Sequence, residues 1–180
     1  MRTHVALLRG INVGGNKKVK MAELKALLEG LGLDDPATLL QSGNVVFRSK
    51  GRTDEELERL LENATEKELG VKCDYFVRTA AEWRKLIAAK PFPEMGEKDP
   101  SHLLMICLRK KPEAAALKAV REAVKGPEKI EAVGNHLFVC YPDGIGTSTL
   151  PKTPGWKKLG GVGTGRNWNT VQKLGELLDV

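Results

Sequence analysis

The feature that most constrains this chain is an internal repeat. Gly43-Asn44 and Phe47 recur as Gly134-Asn135 and Phe138 at a constant offset of 91 residues. Each Gly-Asn pair lies between two short apolar runs: ATLLQ and NVVFRS in the first half, KIEAVG and NHLFVCY in the second. Gly-Asn between such runs is a tight hairpin signal. His4 and His102 also read as equivalent, each opening the first strand of its half. A degenerate repeat of this period predicts two copies of one supersecondary unit.

The elements around the hairpins give the unit its type. HVALL (4–8) reads as a strand. A helix from about Lys20 to Leu31 follows, with Met21, Leu24, Leu28 and Leu31 on one face. After the hairpin, Thr53 and Glu56 form a capping box for a second helix, apolar at Leu57, Leu60, Leu61 and Ala64. In VKCDYFVR (71–78), Cys73, Tyr75 and Val77 alternate with Lys72, Asp74 and Arg78, which predicts a strand with one polar face. The order β-α-β-β-α-β is that of a ferredoxin-like α+β sandwich. Residues 1–78 are therefore expected to form a first ferredoxin-like domain with an antiparallel sheet.

Residues 79–101 read as a helix with Trp83, Leu86 and Ile87 inward, opened by a Thr79/Glu82 capping box, then a Pro- and charge-rich linker. The order begins again at HLLMICLR (102–109), and a helix from Pro112-Glu113 turns Leu117, Val120 and Val124 inward. A Gly/Pro-rich segment (142–166) leads to a final helix with Trp168, Val171, Leu174 and Leu178 on one face. Residues 102–180 are thus expected to form a second ferredoxin-like domain in tandem. Its final strand is not evident, so this copy reads as incomplete or modified.

Charge is distributed unevenly. The net charge is +6, yet residues 1–22 carry Arg2, Arg9, Lys17, Lys18 and Lys20 with no acid. Residues 144–175 likewise carry Lys152, Lys157, Lys158, Arg166 and Lys173 with no acid. The rest of the chain is mildly acidic. If the two stretches met in space, they would focus a positive field on one region. No stretch approaches the 18 or more apolar residues of a membrane span. Cys73, Cys107 and Cys140 are odd in number and lie in apolar runs, as buried free thiols of a cytoplasmic protein would.

Both acid-free stretches carry glycines ahead of a helix. Gly10-Ile11-Asn12-Val13-Gly14-Gly15 has neither the P-loop nor the dinucleotide spacing, but a loop leading into a helix favours anions. In GGVGTGRNWNTVQKL, Gly160, Gly161, Gly163 and Gly165 offer exposed backbone. Arg166 offers a planar charged fork, and Asn167 an N-cap. Trp168 reads as core or as a base-stacking residue. Trp156, without helical partners, reads as exposed beside Lys157 and Lys158, in the manner of single-stranded nucleic-acid sites, or as a loop-packing residue. No H-x-x-x-H, C-x-x-C or G-x-S-x-G pattern occurs, so no metal ligand and no catalytic residue is named.

ALLRGINVGG, MAELKALLEGLG, QSGNVVF, YPDGIGTSTL and TGRNWNTVQKL together resemble the signature blocks of a bacterial family, the domain of unknown function 1697. The resemblance implies a tandem pair of ferredoxin-like domains and brings no activity, cofactor or catalytic residue. Thr147-Ser148-Thr149-Leu150 departs from the Ser-Lys-Leu-like run that members often carry there.

The leading functional expectation is a site for a phosphate-bearing small molecule, a nucleotide or phosphorylated metabolite. Its residues would be Arg9, Asn12, Lys17, Lys18, Ser42, Asn44, Arg166, Asn167 and Trp168. Single-stranded nucleic acid is the first alternative, although HVALL lacks the aromatic residues that ferredoxin-like sheets present to RNA. A structural or protein-interaction role without ligand is the second. That role requires the two glycine-rich stretches to share no pocket.

Overall fold

The computed structural model describes residues 1–178. Among them are two four-stranded antiparallel sheets and seven α-helices, a mixed α+β architecture. The chain divides into two compact units, Met1–Lys85 joined by the end of the last helix from Leu174, and Leu86–Lys173.

In the first unit the elements run β1 (Arg2–Leu8), α1 (Met21–Gly30), β2 (Asp34–Leu39), β3 (Asn44–Ser49), α2 (Asp54–Leu69) and β4 (Tyr75–Thr79), then the start of α3 (Ala80–Ala89). The sheet order is β2-β3-β1-β4, with His4 opposite Phe47 and Ala6 between Val45 and Val77. Ala6, Leu8, Val45, Phe47, Tyr75 and Val77 share a core with Leu24 and Leu28 of α1 and Leu57 and Leu61 of α2. The helical spacing of those leucines dictates this packing, and burying each one stabilises the fold by about 1.5–3 kcal/mol. The expected Thr53/Glu56 capping box is present.

Two carboxylates of α2 explain how the sheet ends. β4 is an edge strand, and its outward N–H groups require acceptors. Tyr75 N donates to Glu62 Oε1 at 3.0 Å and Val77 N to Glu58 Oε1 at 2.9 Å. Thr79 N donates to Glu82 Oε2 at 2.9 Å, within the expected Thr79/Glu82 box. Four helical residues rise about 6 Å and two strand residues about 6.6 Å, so Glu58 and Glu62 match alternate residues of β4. Arg78, expected on the polar face, is instead buried, with Nη1 3.8 Å from Glu58 Oε1. The alternation rule assumes one solvated face, and here Val5, Leu7 and Phe76 on that face are buried too.

The second unit contains the rest of α3, then α4 (Pro93–Lys98), β5 (Leu103–Cys107), α5 (Ala114–Ala123), β6 (Lys129–Val133) and β7 (His136–Cys140). After these come the one-turn α6 (Trp156–Leu159), β8 (Thr164–Asn167) and the first part of α7 (Trp168–Leu177). The sheet order is β6-β7-β5-β8. α4 forms within the stretch read as a linker. β8 supplies the final strand that the sequence does not announce, because TGRN has little strand propensity and pairs with β5 through tertiary context. Met105, not His102, stands opposite Phe138, so His4 and His102 are not equivalent. His102 lies in the turn Pro100–His102. Trp168, Val171, Leu174 and Leu178 are all buried, as the face they share predicts. No helix among the described residues is long and apolar enough to cross a membrane.

Candidate anion-binding site

The loop after β1 folds into a small hairpin. Asn16 N donates to Val13 O and Asn12 N to Lys17 O. Gly14 and Gly15, at φ +61° and +78°, occupy the two central positions of the turn, both left-handed as a type I′ turn demands. Asn12 anchors this hairpin. Its Nδ2 donates to Val19 O at 2.9 Å and Gln41 O at 2.7 Å, and its Oδ1 accepts from Val19 N at 2.9 Å. The hairpin is therefore tied to the β2–β3 turn.

That turn is equally fixed. Asn44 is fully buried, and its Nδ2 donates to Leu39 O at 2.7 Å and Ser42 Oγ at 3.0 Å. Gly43 is packed so tightly that a Cβ would stand 2.7 Å from Ile11 Cδ1 and 2.9 Å from Leu8 Cβ. Asn12 and Asn44 thus hold the backbone with their amide groups.

The cations sit around this frame. Arg9 N donates to Asp74 O, and its half-exposed guanidinium lies 3.5 Å from Asp74 Oδ2. Lys17 and Lys18 are exposed. Burial pushes the Cys73 thiol up to about 11, with the charge of Lys17 pulling the other way. The structure therefore brings Arg9, Asn12, Lys17, Lys18, Ser42 and Asn44 to one end of the first unit. Asp74, the acid among them, is 65 residues from Arg9 in the chain and carries no local sequence signal.

The second glycine-rich stretch belongs to the other unit, and its residues have structural partners. Arg166 is buried, and Nη1 donates to Thr164 Oγ1 at 2.9 Å and Gly165 O at 2.8 Å. Burial pushes its guanidinium down to about 10. Asn167 Oδ1 accepts from Thr170 N at 3.0 Å, the expected N-cap. Trp168 packs edge-on against Phe138 with ring centroids 5.8 Å apart. Trp156 is buried rather than exposed, because its indole lies over Gly160. The glycines serve close packing: a Cβ at Gly163 would meet Cys107 O at 2.3 Å, and one at Gly165 would meet Leu104 at 3.0 Å. The N–H groups of Gly160, Gly161 and Gly163 are already bonded to Trp156 O and Gly160 O.

A solved structure titled as that of a conserved bacterial protein, SP0830 from Streptococcus pneumoniae, has a similar fold. The TM-score is 0.76 at 22% identity, covering 98% of both chains. None of the curated proteins matches the sequence. The family model described as a protein of unknown function, DUF1697, matches residues 1–138, so YPDGIGTSTL and TGRNWNTVQKL fall beyond it. With that match spanning most of its length, the chain belongs to the DUF1697 family.

Proposed function

We propose that this protein is a binding module for a small phosphate-bearing ligand, held at the hairpin end of the first unit. The observation that carries the reading is the pair of exposed cations, Lys17 and Lys18, on a turn whose backbone Asn12 fixes. A rigid carrier lowers the ordering cost of binding, and the half-exposed Arg9 adds a planar donor. Ser42 is exposed on the adjoining turn. Arg166, Asn167 and Trp168 support the second unit's own packing, so the reading rests on the first six residues. Trp83, Trp156 and Trp168 are all buried, and none supports a stacking platform for nucleic acid.

We also infer that each unit is a ferredoxin-like sandwich, the second modified. In support, the order β2-β3-β1-β4 recurs as β6-β7-β5-β8, while α2 shrinks from 16 residues to the 4 of α6. The burial of all three cysteines, Cys73, Cys107 and Cys140, supports a reducing compartment.

A thermal-shift screen with nucleotides and sugar phosphates tests the site. A true ligand raises Tm, and the rise disappears in the Lys17→Glu/Lys18→Glu variant. A rise that survives this variant rejects the site. One observation favours a second reading, a protein-contact surface: Val13 and Leu40 are 67% and 53% exposed on these loops, with Leu40 at φ 60°. That reading predicts no ligand-induced shift.

A further inference from the structure

The second unit departs from the first where helices cover the sheet. α2 has 16 residues over the first core, whereas α6 has 4 over the second. The connection from β5 to α5 is also short, six residues against the twelve between β1 and α1. Between α5 and α6 this leaves a groove of about 580 Å³. Its volume lies in the range of small-molecule sites, about 300–1,000 Å³.

The lining is of two kinds. Leu108, Val120 and Leu159 form an apolar floor, and Ala116 and Ala119 of α5 keep it wide. Around the mouth stand Arg109, Lys110, Lys111 and Lys158, with Glu113 as the acid among the lining residues. Val162, 51% exposed, extends the apolar surface to the rim. Clefts of this kind select a ligand with an apolar body, and like charges at the mouth fix the sign of its head group.

We propose that this groove binds a small amphipathic anion, an unbranched or aryl apolar body ending in one carboxylate or phosphate. The body lies along Leu108, Val120 and Leu159. The head group meets Lys158 and the Arg109–Lys111 run. This site is separate from Lys17 and Lys18 and does not depend on the reading given for them.

Displacement of anilinonaphthalene sulfonate from the intact chain tests the proposal, with decanoate, decyl phosphate and decylamine as competitors. Decanoate or decyl phosphate displaces the probe saturably at one site, and the tighter of the two identifies the head group. Lys158→Glu, at an exposed position, weakens that competitor about tenfold. Ala119→Phe fills the groove and abolishes displacement, whereas Lys25→Glu, at an exposed position of α1, leaves it unchanged. Should Ala119→Phe fail to fold, the Lys158→Glu result stands alone. Equal competition by decylamine, displacement unaffected by Lys158→Glu, or failure of both anions to compete overturns the proposal. The last result is also what an occupant such as an acidic protein helix would give.

Discussion

Glu58 Oε1 accepts the backbone N–H of Val77 at 2.9 Å, so a helix carboxylate occupies the place of a neighbouring strand. The same oxygen lies 3.8 Å from the guanidinium of buried Arg78, which itself donates to Val77 O at 2.6 Å. One acid thereby caps the middle of a sheet edge and stands beside a buried cation. The arrangement needs both roles, because an unpaired edge invites strand addition and a buried cation requires a partner.

Removing this carboxylate is expected to be costly. Glu58→Ala leaves the Val77 N–H without this acceptor and removes the carboxylate 3.8 Å from buried Arg78, for a loss of about 3 kcal/mol. Glu58→Gln keeps an acceptor and loses less. Urea denaturation of the two variants beside Glu62→Ala, which removes the acceptor of Tyr75 N at a less buried site, gives the ranking.

Glu82 makes stability depend on acid pH. Burial works to raise its carboxyl, but hydrogen bonds from the Thr79 backbone and hydroxyl and the charge of Arg78 outweigh this and hold it below the ordinary carboxylate value. A carboxyl depressed by folding contributes stability above its unfolded value, and the contribution fades as pH falls through the folded one. Tm measured from pH about 6 to about 3 should fall less steeply in Glu82→Gln than in the parent chain.

Gly43 and Gly14 separate crowding from backbone strain. Both have positive φ, but a Cβ meets Ile11 and Leu8 at Gly43 and nothing at Gly14. Gly14→Ala is expected to cost about 1 kcal/mol, the left-handed penalty alone. Gly43→Ala adds about 1–3 kcal/mol of overpacking, and chemical denaturation of both variants gives the difference.

Arg166 offers a test of role rather than of strength. Its Nη1 donates to Thr164 Oγ1 and Gly165 O, inside the second unit. Arg166→Met should therefore change Tm while leaving any phosphate-ligand shift at Lys17 and Lys18 intact. A ligand shift lost in Arg166→Met with unchanged Tm would return that residue to the binding site.

The leucine spacings of α1 and α2, the capping boxes at Thr53 and Thr79 and the hairpins at Gly43-Asn44 and Gly134-Asn135 were legible in the chain. All are local: a helical face, a cap and a turn are set by residues a few positions apart. Asn167 as an N-cap and the buried face of α7 belong to the same class. The apparent pairing of His4 with His102 failed because register depends on which strand faces which.

What tertiary structure alone decided was the work of each polar group. Glu58 and Glu62 look like solvated helix acids until β4 passes beside them, and Asp74 meets Arg9 across 65 residues. Asn12, Asn44 and Arg166 read as ligand groups by type, yet their hydrogen bonds hold backbone. Chain spacing determines which face a residue occupies. Its partner, and therefore whether its charge is spent on the fold or left for a ligand, depends on long-range packing.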